Sequence, residues 1–139
     1  FSKIHGLAGL RVGYGIGHPD FIAALEKIRQ PFNLNAMAQA AALAAIDDEE
    51  HVQRTLENNA DGLRTFETAL SEMGIETIPS HANFICAKVG DGHATFLELQ
   101  KHGVITRDMC SYQMPEWIRI TIGTPEQNER CLAVLKDLR

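Results

Sequence analysis

Between Asp48 and Gly74, apolar side chains recur at Val52, Leu56, Leu63, Phe66, Leu70 and Met73, separated by threes, fours and sevens. That spacing puts them on one stripe of an α-helix, and Gly74 supplies the residue type that ends helices in a left-handed conformation. A helix this long with one apolar stripe must lie against other structure. The rest of the chain must therefore supply a surface that receives it.

Downstream, Ile75 to Ile78 and Asn83 to Val89 have the composition of short strands, separated by Pro79 and Ser80. A helix is expected over Ala94 to His102, closed by Gly103, followed by strands over Val104 to Arg107 and Trp117 to Ile120. Thr124, Pro125 and Gln127 make a cap, a first helical position and a capping box, and Cys131, Val134, Leu135 and Leu138 form the stripe of a last helix expected to reach the chain terminus. The order helix, two strands, helix, two strands, helix describes an α+β layer of helices over a small, mainly antiparallel sheet. Residues 48–139 are expected to form this domain.

Upstream, His18 and Pro19 open a helix whose stripe is Phe21, Ile22, Leu25 and Ile28, ended by Pro31. The Ala-rich stretch Asn35 to Ile46 carries so few charges that, as a helix, it must be covered on several sides. The glycine-rich start, FSKIHGLAGLRVGYGIG, suits an irregular loop and then a brief strand over Leu10, Val12 and Tyr14. One short strand and two helices do not close a layer, so residues 1–47 are read as the remnant of a larger domain whose other parts lie outside this chain.

Composition narrows the function. Eighteen acidic against 13 basic residues give a net charge of −5, and no basic cluster follows one face far enough to neutralise many phosphates, which argues against nucleic acid as a partner. No apolar run approaches the ~20 residues that cross a bilayer, and the first residues have no signal layout and no initiating Met. A cytoplasmic location and a start inside a longer gene product are expected. Cys86, Cys110 and Cys131 are odd in number and widely spaced, which suits buried, reduced thiols better than a disulfide framework or a zinc site. The histidines show no ligand spacing either, so no metal is expected.

Chemistry is concentrated at the start, where Ser2, Lys3 and Arg11 flank Gly6 and Gly9, with Gly13 following. Glycines let backbone N–H groups approach a phosphate, Ser donates a hydroxyl, and Arg offers a bidentate fork. A lysine beside such a site is either a second cation or a nucleophile, which must be present as free amine. Spacing alone does not separate these readings from two solvated charges in a surface loop. The run GYGIG fits neither G-x-G-x-x-G nor a Gly-Lys-Ser/Thr loop, so nucleotide sites are set aside.

The stretch Ser2-Lys3-Ile4-His5-Gly6-Leu7-Ala8-Gly9-Leu10-Arg11-Val12-Gly13-Tyr14 resembles the cofactor-lysine motif of the class I/II aminotransferases of fold type I. Trp117-Ile118-Arg119-Ile120-Thr121-Ile122-Gly123-Thr124 is similar to the strand that carries that family's substrate-anion arginine. Strand alternation turns Arg119 away from Ile118 and Ile120; a structural bridge to Glu116 is the competing use. Pro31-Phe32-Asn33-Leu34-Asn35 with Ala38-Gln39, Ser80-His81-Ala82-Asn83-Phe84, and Gly103-Val104-Ile105-Thr106-Arg107-Asp108 extend the likeness to the histidinol-phosphate aminotransferases. Aromatic aminotransferases and phosphothreonine decarboxylases share much of this pattern.

The resemblance implies an α/β fold type I transferase: a remnant of the large cofactor-binding domain over residues 1–47 and the small α+β domain over 48–139. It implies pyridoxal 5'-phosphate as cofactor, with Lys3 as catalytic residue and Ser2, Lys3 and Arg11 as cofactor-binding residues. It also implies Arg107 and Arg119 on the substrate phosphate, an amino donor and a 2-oxoacid as partners, and a homodimeric parent. Asn83 is read either as bonded to its own turn or as a substrate contact. The likeness spans the whole chain but only the later part of the family's length. The aspartate, aromatic residue, asparagine and tyrosine that hold the cofactor ring in the family lie upstream, so the fragment alone is expected to be inactive. A non-catalytic anion-binding module built on Arg107 and Arg119 is the alternative from a different class.

Overall fold

Among the described residues, 1–138, the computed structural model contains five α-helices: α1 (Pro19–Ile28), α2 (Ala36–Ile46), α3 (Glu49–Glu72), α4 (Gly92–Lys101) and α5 (Pro125–Asp137). Each of the five starts where a side chain can accept from an orphan N–H, Asp48 taking that of His51 at 3.0 Å in α3. His18 accepts from Asp20 at 3.4 Å, Asn35 from Ala38 at 2.8 Å, and Asp91 from Ala94 at 2.9 Å. At α5, Thr124 and Gln127 complete the capping box in both directions. The last helix ends at Asp137 with Leu138 as its cap; the remainder of the expected run lies outside the described residues.

Two helices end in the same way, and those ends decide where strands begin. After α3, Gly74 has φ +68°, its N–H reaches Ser71 O at 2.9 Å, and the Ile75 N–H reaches Leu70 O at 2.8 Å. After α4, Gly103 has φ +74°, its N–H reaches Gln100 O at 3.0 Å, and the Val104 N–H reaches Leu99 O at 2.9 Å. Both are Schellman closures, in which the residue after the glycine gives its N–H back to the helix. Ile75 and Val104 are thereby withheld from the sheet. The strands expected over Ile75 to Ile78 and Val104 to Arg107 are correspondingly short, β1 (Thr77–Ile78) and β3 (Arg107–Asp108).

With β2 (Phe84–Lys88) and β4 (Trp117–Thr121) these form one antiparallel sheet in the order β1-β2-β4-β3. In register, Ile85 faces Ile120, Ala87 faces Ile118, and Cys86 faces Arg119. Ile85, Ala87, Ile118 and Ile120 are buried in a cluster with Phe66 and Leu70 of α3, Leu99 of α4, and Cys131, Leu132 and Leu135 of α5. Alternation therefore gives the other sheet face to Cys86, Arg119 and Arg107.

The chain divides into two compact units, one ending at Thr55 and the other beginning at Leu56. The first has a small core of Val12, Ala38 and Ala42, with Phe1, Leu7, Leu10 and Leu34 packed around it. The strand expected over Leu10, Val12 and Tyr14 is absent. Ala8–Leu10 forms a 3-10 turn instead, because no neighbouring strand among the described residues offers a ladder. Large apolar side chains on α1 and α2, including Phe21, Ile28, Met37 and Leu43, are exposed.

Gly92 opens α4 with its N–H on Pro115 O at 2.8 Å, and a Cβ there would lie 2.3 Å from Trp117 O and 2.8 Å from Pro115 O. Both obstacles are backbone, at the start of the strand that carries Arg119. Gly92→Ala is expected to destabilise the chain by about 1–3 kcal/mol, read as a lower urea midpoint. An unchanged midpoint would contradict this packing.

Burial pushes the Cys131 thiol up from 9.0 to about 11, because the thiolate would lose its hydration. The folded chain keeps this proton where the unfolded chain releases it. The resulting stability is full below about pH 9 and is lost as pH rises through about 11. Urea midpoints are expected to fall less steeply over that window in Cys131→Ala than in the unaltered chain; parallel slopes would refute the assignment.

Candidate functional site

Within the first unit, the segment around Lys3 is wound rather than extended. The Gly6 N–H reaches Lys3 O at 2.9 Å and the Leu7 N–H reaches Phe1 O at 3.0 Å, with Gly6 at φ +68°. This closes a turn with Lys3 at its first position. Lys3 is exposed and Ser2 half-buried. The apolar residues Phe1, Leu7 and Leu10 seat the turn on α2.

Arg11 ends the 3-10 turn in the left-handed region, at φ 56°, and its Nη1 donates to Ala8 O at 2.8 Å. The side chain is thereby folded back along the loop. A Cβ at Gly6, Gly9 or Gly13 would meet nothing within 4 Å, so the loop is open around its glycines. An amine, a hydroxyl and a guanidinium on one glycine-rich loop are suited to a ligand with both a carbonyl carbon and a phosphate. An open cavity of about 660 Å³ lies beside the turn, bounded by Phe1, His5, Tyr14, Gln39, Leu43 and Ile46 among others.

In the second unit, Arg107 and Arg119 are direct register partners on β3 and β4. Directly opposed residues of an antiparallel pair have Cβ atoms about 5 Å apart, and like charges so placed repel. Among the described residues neither guanidinium has a carboxylate partner. The Glu116 considered for Arg119 pairs instead with Lys88 at 3.6 Å. Asp108 receives hydrogen bonds from the His93 ring at 3.2 Å and the Cys110 N–H at 3.1 Å, which hold its carboxyl below the usual range.

Arg119 is half-buried, its guanidinium carbon 4.9 Å from the centre of the Phe84 ring, and its buried Nε has no hydrogen-bond partner. Stacking on an aromatic face holds the cation without neutralising it. Arg107 is exposed, and its Nη1 lies 3.4 Å from the Tyr112 hydroxyl. Two forks side by side, one with an orphan donor, suit a ligand carrying more than one negative charge. Sequence reading missed Phe84 and Tyr112. The signal for Phe84 was the period of two, which puts positions 84, 86, 119 and 121 on one face once the register is known.

Asn83 is exposed, and its main-chain carbonyl accepts from the Ile122 N–H at 2.9 Å, so it prolongs the β2–β4 ladder. The cysteines are free thiols, but Cys110 is exposed, contrary to the buried setting expected of all three. It lies in a 3-10 turn, Cys110–Tyr112, that the sequence did not signal.

The family model of class I and II aminotransferases matches residues 1–135. The histidinol-phosphate aminotransferase of Akkermansia muciniphila is 56% identical over 138 residues, covering 99% of this chain and 38% of that protein. The crystal structure of the histidinol-phosphate aminotransferase from Clostridium acetobutylicum superposes with a TM-score of 0.90 at 26% identity, over 99% of this chain and 43% of that one. The enzyme of the same name from Sinorhizobium meliloti, solved in complex with pyridoxal-5'-phosphate, gives 0.86 at 26% identity, over 100% of this chain and 40% of that one. The chain thus spans well under half the length of these relatives. With a family match over nearly every residue and a fold shared with solved histidinol-phosphate aminotransferases, the chain belongs to the class I and II aminotransferases, of which it has the carboxy-terminal fold.

Proposed function

We propose that the parent of this chain transfers an amino group between L-histidinol phosphate and 2-oxoglutarate, with pyridoxal 5'-phosphate as cofactor, in histidine biosynthesis. The observation that carries the substrate is the Arg107–Arg119 pair, two register-matched cations without a carboxylate partner among the described residues. A phosphate dianion answers both forks, whereas a single carboxylate answers one. The name of the Akkermansia relative supports the same substrate.

The residues of the first loop fit the cofactor. Lys3 offers an exposed primary amine for its aldehyde, Ser2 a hydroxyl and Arg11 a guanidinium for its phosphate, and the open glycines leave room for it. When bound, pyridoxal phosphate supplies the electron sink that makes the donor's α-hydrogen acidic. Lys3 Nζ is the amine that would hold the aldehyde carbon and, as a free base, would move the α-proton. Arg107 and Arg119 bind and orient the donor's phosphate, so that binding energy far from the reacting carbon fixes its position.

In this reading residues 1–47 are the end of the large cofactor-binding domain and residues 48–139 the small domain. The exposed apolar faces of α1 and α2 are covered by upstream parts of the parent, which is a cytoplasmic homodimer. The isolated chain, without the upstream residues that hold the cofactor ring in this family, is inactive.

In the intact parent, Lys3→Ala is expected to lower turnover by about 10²–10⁴-fold or more. Borohydride should fix a cofactor-sized mass on the Lys3 peptide of the unaltered parent and not of the variant; normal turnover by Lys3→Ala would refute the role. A parent without cofactor absorbance would favour the anion-binding module.

Arg107→Ala is expected to raise KM for the phosphorylated donor by about 10–100-fold, the weight of a charged hydrogen bond, and to leave donors without phosphate unaffected. An equal effect on aromatic donors would point to an aromatic aminotransferase.

A further inference from the structure

We infer that His51 is a positioning residue for Lys3, a reading that rests on the cofactor role proposed for that amine. His51 occupies the first turn of α3, where its own N–H is capped by Asp48 Oδ1 at 3.0 Å. In a capping box the side chain at this position bends back to its own helix. The His51 ring instead reaches 47 residues up the chain, with Nε2 3.0 Å from Ile4 O. A carbonyl has no proton to give, so Nε2 carries the hydrogen and donates it. The Thr55 hydroxyl, 3.4 Å from the same nitrogen and one turn along α3, backs the ring.

The acceptor gives this bond its consequence. The turn at Lys3 is closed by the carbonyls of Lys3 and Phe1, which take the Gly6 and Leu7 N–H groups. The carbonyl of Ile4, inside the turn, has no part in that closure, and His51 takes it up. The peptide group immediately after Lys3 is thus pinned to the helix. Gly6 has φ +68°, in a region where glycine moves freely, so the turn without its tether has an easy route to other shapes. His51 and Ile4 are both half-buried, where competing water is limited. The bond therefore fixes the direction from which the Lys3 side chain leaves the backbone.

The test uses the intact parent without cofactor and two variants. His51→Phe keeps a ring and removes the donor; His51→Gln removes the ring and keeps an N–H. Amide exchange at Gly6 and Leu7 is expected to rise about three- to tenfold in His51→Phe and to return toward the unaltered rate in His51→Gln, with Ile85 and Ile118 unmoved in both. The rate at which pyridoxal phosphate and borohydride mark Lys3 is expected to fall by a similar factor in the Phe variant and recover in the Gln variant. Unchanged exchange at Gly6 and Leu7 in His51→Phe overturns the tether. Faster exchange with unchanged marking of Lys3 overturns the positioning role. Failure of the unaltered parent to take any mark at Lys3 overturns the cofactor reading itself, and is seen before either variant is made.

Discussion

Burial of one sheet face against three helices is the constraint from which the second unit's chemistry follows. Ile85, Ala87, Ile118 and Ile120 are committed to Phe66, Leu70, Leu99 and Leu135, each of these eight 3% exposed or less. Burying each large apolar side chain is worth roughly 1.5–3 kcal/mol, more than the repulsion between two solvated cations. A one-residue slip of β4 would exchange Arg119 for isoleucine in that core and is excluded on those terms. Register then brings Arg107 beside Arg119 regardless of their mutual repulsion. The folded chain holds a site of positive charge because its core leaves the arginines nowhere else to go.

The first unit works on a smaller scale. Val12, Ala38 and Ala42 make too slight a core to order a seventeen-residue glycine-rich segment by burial alone. Order there comes from main-chain hydrogen bonds within the turn, from the Arg11 guanidinium on Ala8, and from His51 on Ile4. A loop held by directional bonds rather than by packing keeps its amine exposed while its backbone is fixed. Carbonyl chemistry requires that combination of access and order.

The starts of α2 and α5 were legible in the sequence because capping is local: Asn35, Thr124 and Gln127 lie within three residues of the N–H groups they serve, whereas α4, expected from Ala94, begins at Gly92 under the Asp91 cap. Strand lengths were less legible, because they depend on what the preceding helix does with its last carbonyls. Ile75 and Val104 have the β-branched look of strand residues, yet both return their N–H to a helix through a Schellman closure. The strand expected at Val12 failed for want of a neighbour. Among the candidate residues, Lys3, Arg11 and Arg119 were nominated by motif likeness, while the adjacency of Arg107 and Arg119 needed the register. Phe84 beneath Arg119 and His51 against Ile4 are contacts between distant positions for which no local pattern exists.

If Lys3 holds the cofactor and the paired arginines hold the donor's phosphate, both contacts are visible in crystals of the intact parent with pyridoxal phosphate, grown without and with histidinol phosphate. Continuous density from Lys3 Nζ to the cofactor is expected in the donor-free crystal. With donor present, a phosphate is expected within hydrogen-bond distance of both Arg107 and Arg119. A cofactor bound away from Lys3, or a donor phosphate held by other residues while the two arginines face solvent, would contradict this assignment.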